Sequence, residues 1–100
     1  MSSTSRGAIL LNVNDNVATA LEAMAPQTEA VFNLHCQSRT VRVIENIPQG
    51  HKFAVLRIPA GQEVIKYGEV IGLATEPIDA GQLVHTHNVA SQRGRGDRAP

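Results

Sequence analysis

Ile47-Pro48-Gln49-Gly50, Ile58-Pro59-Ala60-Gly61 and Ile78-Asp79-Ala80-Gly81 repeat one local device through the second half of the chain. In each copy an isoleucine is followed by a turn pair and then by a glycine, which can take the positive φ that a tight connection into a strand requires. Each copy lies in or beside a short hydrophobic stretch: Phe53-Ala54-Val55-Leu56, Val64-Ile65 or Leu83-Val84. The glycines are unequally spaced, which argues against a solenoid of fixed period. Gly68 and Gly72 bracket Glu69-Val70-Ile71, and two glycines so close mark bulges or kinks in a curved sheet. The pattern predicts a winding, mainly β domain.

The first half is read from its periodicity. Ala8-Ile9-Leu10-Leu11-Asn12-Val13 reads as a first strand. Asn14 or Asp15 can cap a helix, because a short side-chain oxygen accepts from a free N–H of the first turn. Val17, Ala20, Leu21 and Met24 fall at helical spacing, so one short N-terminal helix is expected, ended by Pro26. Ala30-Val31-Phe32-Asn33-Leu34 and Thr40-Val41-Arg42-Val43-Ile44 read as strands joined by the polar turn His35-Cys36-Gln37-Ser38-Arg39. The expected organisation is a disordered N-terminus over residues 1–6, a folded domain over 7–90 and a flexible basic tail over 91–100.

One hundred residues make one domain with a small core. Hydrophobic residues are 42% of the chain and charged residues 18%, as in an ordinary folded protein. Phe32, Phe53 and Tyr67 are the whole aromatic complement, so the core must be built from Val, Ile, Leu and Ala. Nine basic and nine acidic residues cancel, leaving no global field to draw the chain to nucleic acid or an anionic membrane. The lone Cys36 excludes an intrachain disulfide and an all-cysteine zinc site. No apolar run approaches the roughly 20 residues of a membrane span, and no signal-peptide core follows Met1. A soluble cytoplasmic domain is the expectation. Walker, Rossmann, nucleophile-elbow and kinase motifs are all missing.

The richest chemistry sits in His85-Thr86-His87-Asn88. On a strand, two imidazoles one residue apart face the same side with Cα atoms about 6.5–7 Å apart. From there both rings can converge on a metal ion, a carboxylate or a substrate. His51, between Gly50 and Lys52, is a third imidazole at a turn. A zinc-type catalytic centre needs three protein ligands and an open position, and His51 could supply the third. Lys66-Tyr67-Gly68-Glu69 adds an ammonium to stabilise negative charge and a phenolic donor. His35 and Cys36 sit in a turn without a nearby base, which favours surface placement over nucleophilic catalysis. Arg93, Arg95 and Arg98 could contact an acidic partner, or simply solubilise the tail. On the residues alone, a solvent-facing histidine edge and a genuine site remain equally open.

Gly50-His51-Lys52-Phe53-Ala54-Val55, Val64-Ile65-Lys66-Tyr67-Gly68 and Val84-His85-Thr86-His87-Asn88, together with Asn14-Asp15-Asn16-Val17-Ala18-Thr19-Ala20-Leu21, resemble the N-terminal domain of the altronate and galactarate dehydratase family. The resemblance covers most of residues 8–90 in order. It implies an SAF-type β-clip fold, a winding arrangement of short strands. In the fused enzymes this domain precedes a much larger catalytic portion, and separately encoded small subunits occur among relatives, including the alpha subunit of sulfolactate sulfo-lyase. The implied role is that of a small subunit, inactive alone, working with a large catalytic subunit on a sugar acid or a sulfo-acid.

By the same resemblance His51, His85 and His87 are the candidate catalytic groups, and Lys52, Lys66, Tyr67 and Asn88 the candidate substrate contacts. The family's metal, iron or manganese, would be held by His85 and His87 or wholly by the partner. Neither nucleic acid nor membrane is expected as a partner, and self-association in isolation stays open. The competing reading from a different class is a non-enzymatic SAF binding module. The polar N-terminal extension and the Arg/Gly tail depart from the family pattern and leave the subfamily undecided.

Overall fold

The computed structural model describes residues 5–34 and 37–91, which form nine strands. They are β1 (Ser5–Ile9), β2 (Val17–Ala20), β3 (Glu29–Leu34), β4 (Gln37–Arg42), β5 (Lys52–Ala54), β6 (Glu63–Lys66), β7 (Glu69–Ala74), β8 (Leu83–Val84) and β9 (Val89–Ser91). A six-stranded sheet has the order β4-β3-β1-β2-β5-β8, and a three-stranded sheet the order β6-β7-β9. Pairing is antiparallel throughout except between β1 and β3, which run parallel. Strand β1 starts at Ser5, ahead of the boundary expected at residue 7, and β4 starts at Gln37 rather than Thr40. His35, Cys36 and the tail arginines lie outside the described residues.

No helix occurs among the described residues, and the expected N-terminal helix is strand β2. Val17, Ala18 and Ala20 are all buried, and β2 lies between β1 and β5, pairing Ala20 with Ala8 and Ala18 with Phe53. Burial on alternating faces is what a central strand requires. The helical spacing of Val17, Ala20, Leu21 and Met24 was a coincidence of an apolar strand followed by a second buried anchor. Asp15 caps no helix: its carboxylate accepts from the Asn12 N–H at 3.1 Å and from the Gly68 N–H at 2.7 Å.

Directly opposed residues share a face of an antiparallel sheet, and that rule divides the interior in two. Ala18, Phe53 and Leu83 are in register and face a first core with Met24, Phe32, Val43 and Ile47. Val17 and Ala54, one residue out of phase, face a second core with Ile58, Val64, Ala74, Ile78 and Val84. Strands β2 and β5 therefore separate the two cores and serve both.

The repeated device proves to be a turn used four times. The carbonyls of Ala25, Pro48, Pro59 and Asp79 accept from the N–H groups of Thr28, His51, Gln62 and Gln82 at 3.0–3.1 Å. The third residue of each turn has positive φ: Gln27 at 78°, Gly50 at 82°, Gly61 at 85° and Gly81 at 88°. These are type II turns, which require positive φ at that position. The residues before them pair off by reciprocal backbone bonds of 2.8 Å, Met24 with Ile47 and Ile58 with Ile78. The positive-φ residue of each turn also donates to the strand end that leads into its partner turn. Gly50 bonds to Ala20, Gln27 to Val43, Gly61 to Ala74 and Gly81 to Ala54. Two interlocked pairs of arches result, one over each core.

Candidate active site

The second arch delivers His51 to the start of β5, and the β5–β8 pairing fixes what it meets. Phe53 opposes Leu83 and Lys52 opposes Val84, so the next step of the register sets His51 against His85. Their ring centroids are 5.0 Å apart and tilted by 46°. The Nδ1 of His51 also lies 3.4 Å from the carbonyl oxygen of Gln49.

His85-Thr86-His87-Asn88 is a turn, not the strand end expected from the sequence. The Asn88 N–H donates to the His85 carbonyl at 3.1 Å. The Asn88 side chain accepts from the His85 N–H at 3.0 Å and donates to the Leu83 carbonyl at 2.8 Å. An amide that can bond both a donor and an acceptor of nearby backbone offers an alternative to the sheet ladder, and β8 stops after two residues. Strand alternation therefore does not relate the two histidines. Both are exposed, but only His85 meets His51. Asn88, a candidate substrate contact, is fully buried with its amide committed to the turn.

The lysines arrive from different sheets. Lys52 is partly buried on β5, opposite Thr19 and Val84. Burial, and secondarily the neighbouring Lys66 ammonium, hold its pKa below the ordinary 10.5. Lys66 ends β6 at a two-residue hairpin turn, Tyr67-Gly68, in which both residues have positive φ (55° and 80°), the type I′ geometry that suits the twist of paired strands. The Lys66 Nζ lies 4.9 Å above the Tyr67 ring, a cation–π contact. The hairpin is tied to the loop before β2 from both sides. Asp15 binds the Gly68 N–H, while Asn16 accepts from the Ile65 N–H at 2.7 Å and donates to the Glu63 carbonyl at 2.8 Å.

Between the two sheets lies an open cleft of about 350 Å³. Lys52, Lys66, Glu69, His85 and Thr86 supply its polar wall, and Val70, Ile71, Val84 and Val89 its apolar wall. Of the expected site residues, Lys52, Lys66 and His85 thus come together. His51 stands behind His85, Tyr67 stands beside Lys66, and His87 and Asn88 do not line the cleft. Glu69 and Thr86 were not singled out by sequence. The signal for Glu69 was its place across the Tyr67-Gly68 turn, where it opposes Lys66. Two ammonium groups against one carboxylate give the cleft the electrostatics of an anion site.

A metal fits the described residues poorly. Among the described residues no three His, Cys, Asp or Glu side chains gather as metal ligands, and β8 stops before His85 and His87, so strand alternation does not set their rings on one face. The pair His51/His85 alone is too few donors for a protein metal site of the usual kind. No helix among the described residues is long and apolar enough to cross a membrane.

An all-β domain of interlocked arches, presenting a lysine- and histidine-lined cleft, is the class this fold and site define. Residues 6–92 match the altronate/galactarate dehydratase SAF domain, and the chain belongs to that family, with its SAF-type β-clip fold. It is 42% identical over 80 residues to altronate dehydratase of Escherichia coli (strain K12), covering 80% of this chain and 15% of that protein. With galactarate dehydratase (L-threo-forming) of the same organism it shares 54% over 44 residues, 44% of this chain and 8% of the relative. It is also 46% identical over 48 residues to the (2R)-sulfolactate sulfo-lyase subunit alpha of Paracoccus pantotrophus, 48% of this chain and 72% of the relative. The chain therefore spans only a small part of the dehydratases it matches.

Proposed function

We propose that this chain is the small SAF subunit of a sugar-acid hydro-lyase of the altronate/galactarate type, acting in the cytoplasm with a separate large catalytic chain. The observation that carries this reading is the convergence of Lys52, Lys66 and His85 on one open cleft. In such an elimination a base removes the proton α to the carboxylate, the β-hydroxyl leaves as water, and the enol becomes a 2-keto-3-deoxy acid. The α proton is weakly acidic, so cations placed where enolate charge develops contribute strongly. Lys52 and Lys66 hold the carboxylate and offset that charge. His85 moves a proton at the reacting carbons or the leaving hydroxyl, and His51 orients its ring. The groups that complete the centre, including any iron or manganese, come from the partner.

A sulfo-lyase is the second reading. It is supported by coverage: the match takes in 72% and 63% of two (2R)-sulfolactate sulfo-lyase alpha subunits, against 15% or less of the Escherichia coli dehydratases. Co-purification with a large dehydratase-type chain, followed by assay on altronate, galactarate and sulfolactate, separates the two. The pair is expected to turn over one of these acids, and His85→Ala to lower kcat by about 100-fold or more, as for loss of a general acid–base group. Full activity in His85→Ala would remove the histidine site. Turnover by the chain alone would remove the subunit reading.

A further inference from the structure

Glu69 is the one ionisable group lining the cleft that the proposed chemistry leaves without a task. It opposes Lys66 across the β6–β7 hairpin, where directly opposed Cβ atoms lie about 4.5–5.5 Å apart. An ion pair would be the ordinary outcome, yet none forms. Among the described residues the ion pairs are Arg6–Glu22 at 3.6 Å and Arg42–Glu29 at 3.5 Å. Lys66 leans instead over the Tyr67 ring, and the exposed Glu69 lines the cleft with no hydrogen bond to its carboxylate from the described residues. An acceptor-only group and an ammonium, held apart on one wall, present opposite demands to whatever enters.

We infer that the cleft of this chain alone binds one carboxylate terminus of a hydroxylated acid, with Glu69 reading the hydroxyl beside it. Lys52 and Lys66 take the carboxylate oxygens, and Glu69 accepts the hydrogen bond of a neighbouring hydroxyl. A plain carboxylate of similar length is disfavoured, since it offers Glu69 no hydroxyl in place of water and sets apolar carbon beside the carboxylate. Val70, Ile71, Val84 and Val89 form the wall against which the C–H face of such an acid can lie. The lowered pKa of Lys52 supports this, because a bound carboxylate would offset the cost of keeping that ammonium partly buried. The assignment deepens the sugar-acid reading but needs no partner chain.

The test is titration of the isolated, isotope-labelled chain with sodium gluconate and with sodium hexanoate, followed by NMR. Gluconate is expected to shift resonances of Lys52, Lys66, Glu69 and His85 and to bind about tenfold tighter than hexanoate, the scale of one charge-assisted hydrogen bond. Glu69→Gln, at an exposed position, is expected to bring the two affinities together by weakening gluconate and strengthening hexanoate. Lys66→Met is expected to weaken both. The inference is overturned if gluconate leaves the cleft resonances unmoved, if hexanoate binds as tightly in the wild type, or if Glu69→Gln changes both acids equally. Binding by the isolated chain and turnover with a partner are separate readouts, so either conclusion can fail while the other stands.

Discussion

Lys52 concentrates the tension between stability and function in this chain. Its ammonium is partly buried on a face otherwise committed to the second core, and Lys66 adds repulsion. A lysine whose folded pKa is lowered disfavours the native state while both states are protonated. As pH rises from the lowered value toward 10.5, the native state releases its proton first. The unfolded state then holds more protons, so stability rises through that window. Lys52→Met is therefore expected to raise the melting temperature at neutral pH and to lose this pH-dependent gain, while weakening anion binding. Thermal melts of both proteins across the alkaline range check it. Asn88 is the opposite case, a buried amide whose bonds are all satisfied. Asn88→Ala leaves the part-buried His85 N–H and Leu83 carbonyl without their partner and is expected to cost about 2 kcal/mol. In a domain of this size that is a loss of roughly 10 °C or more in melting temperature. The His51/His85 contact should loosen with it, visible in the imidazole NMR signals.

At the scale of the element, the four type II turns explain both what was legible and what was not. The three Ile-x-x-Gly copies were readable because glycine advertises positive φ. Met24-Ala25-Pro26-Gln27 is the same arch written without its glycine, and in sequence Pro26 reads as a helix stop rather than a turn residue. Gln27 sits at a φ of 78°, a conformation that costs an L-residue with a Cβ about 1–2 kcal/mol. Gln27→Gly is expected to raise stability by up to about 1 kcal/mol, part of the relief being offset by a freer unfolded chain. Gly81→Ala should do the reverse and more strongly. It would combine positive φ with a Cβ driven into the Arg42 carbonyl oxygen. Chemical denaturation of the two variants measures both. The histidine turn was misread for a related reason. Val84-His85-Thr86-His87 alternates like a strand, and only the later Asn88, whose side chain bonds backwards to Leu83 and His85, ends it.

At the scale of the whole molecule, the cleft exists because two sheets are held at a fixed spacing by side chains far away in sequence. Lys52 and His85 belong to the six-stranded sheet or its edge, and Lys66 and Glu69 to the three-stranded one. No local pattern could announce that meeting. The motifs were individually visible, but their convergence depends on Asp15, which reads as a helix cap, and on Asn16, to which periodicity and spacing assign no role. Asp15→Ala combined with Asn16→Ala is expected to release the β6–β7 hairpin while leaving the arches over the first core intact. Hydrogen exchange should then quicken in residues 63–74 ahead of residues 17–54, and gluconate binding should fall several-fold.

The Asp15 and Asn16 tether also orders events in time. The bond from Gly68 to Asp15 closes a separation of 53 residues and that from Ile65 to Asn16 one of 49, and contacts this distant slow folding. The Met24–Ile47 arches can form before the hairpin that carries Lys66 finds its place. Tyr67 is the only tyrosine of a chain without tryptophan, and it sits at the tip of that hairpin. Its intrinsic fluorescence during refolding therefore reports on that hairpin, and should lag behind the backbone circular dichroism of the strands of the first core.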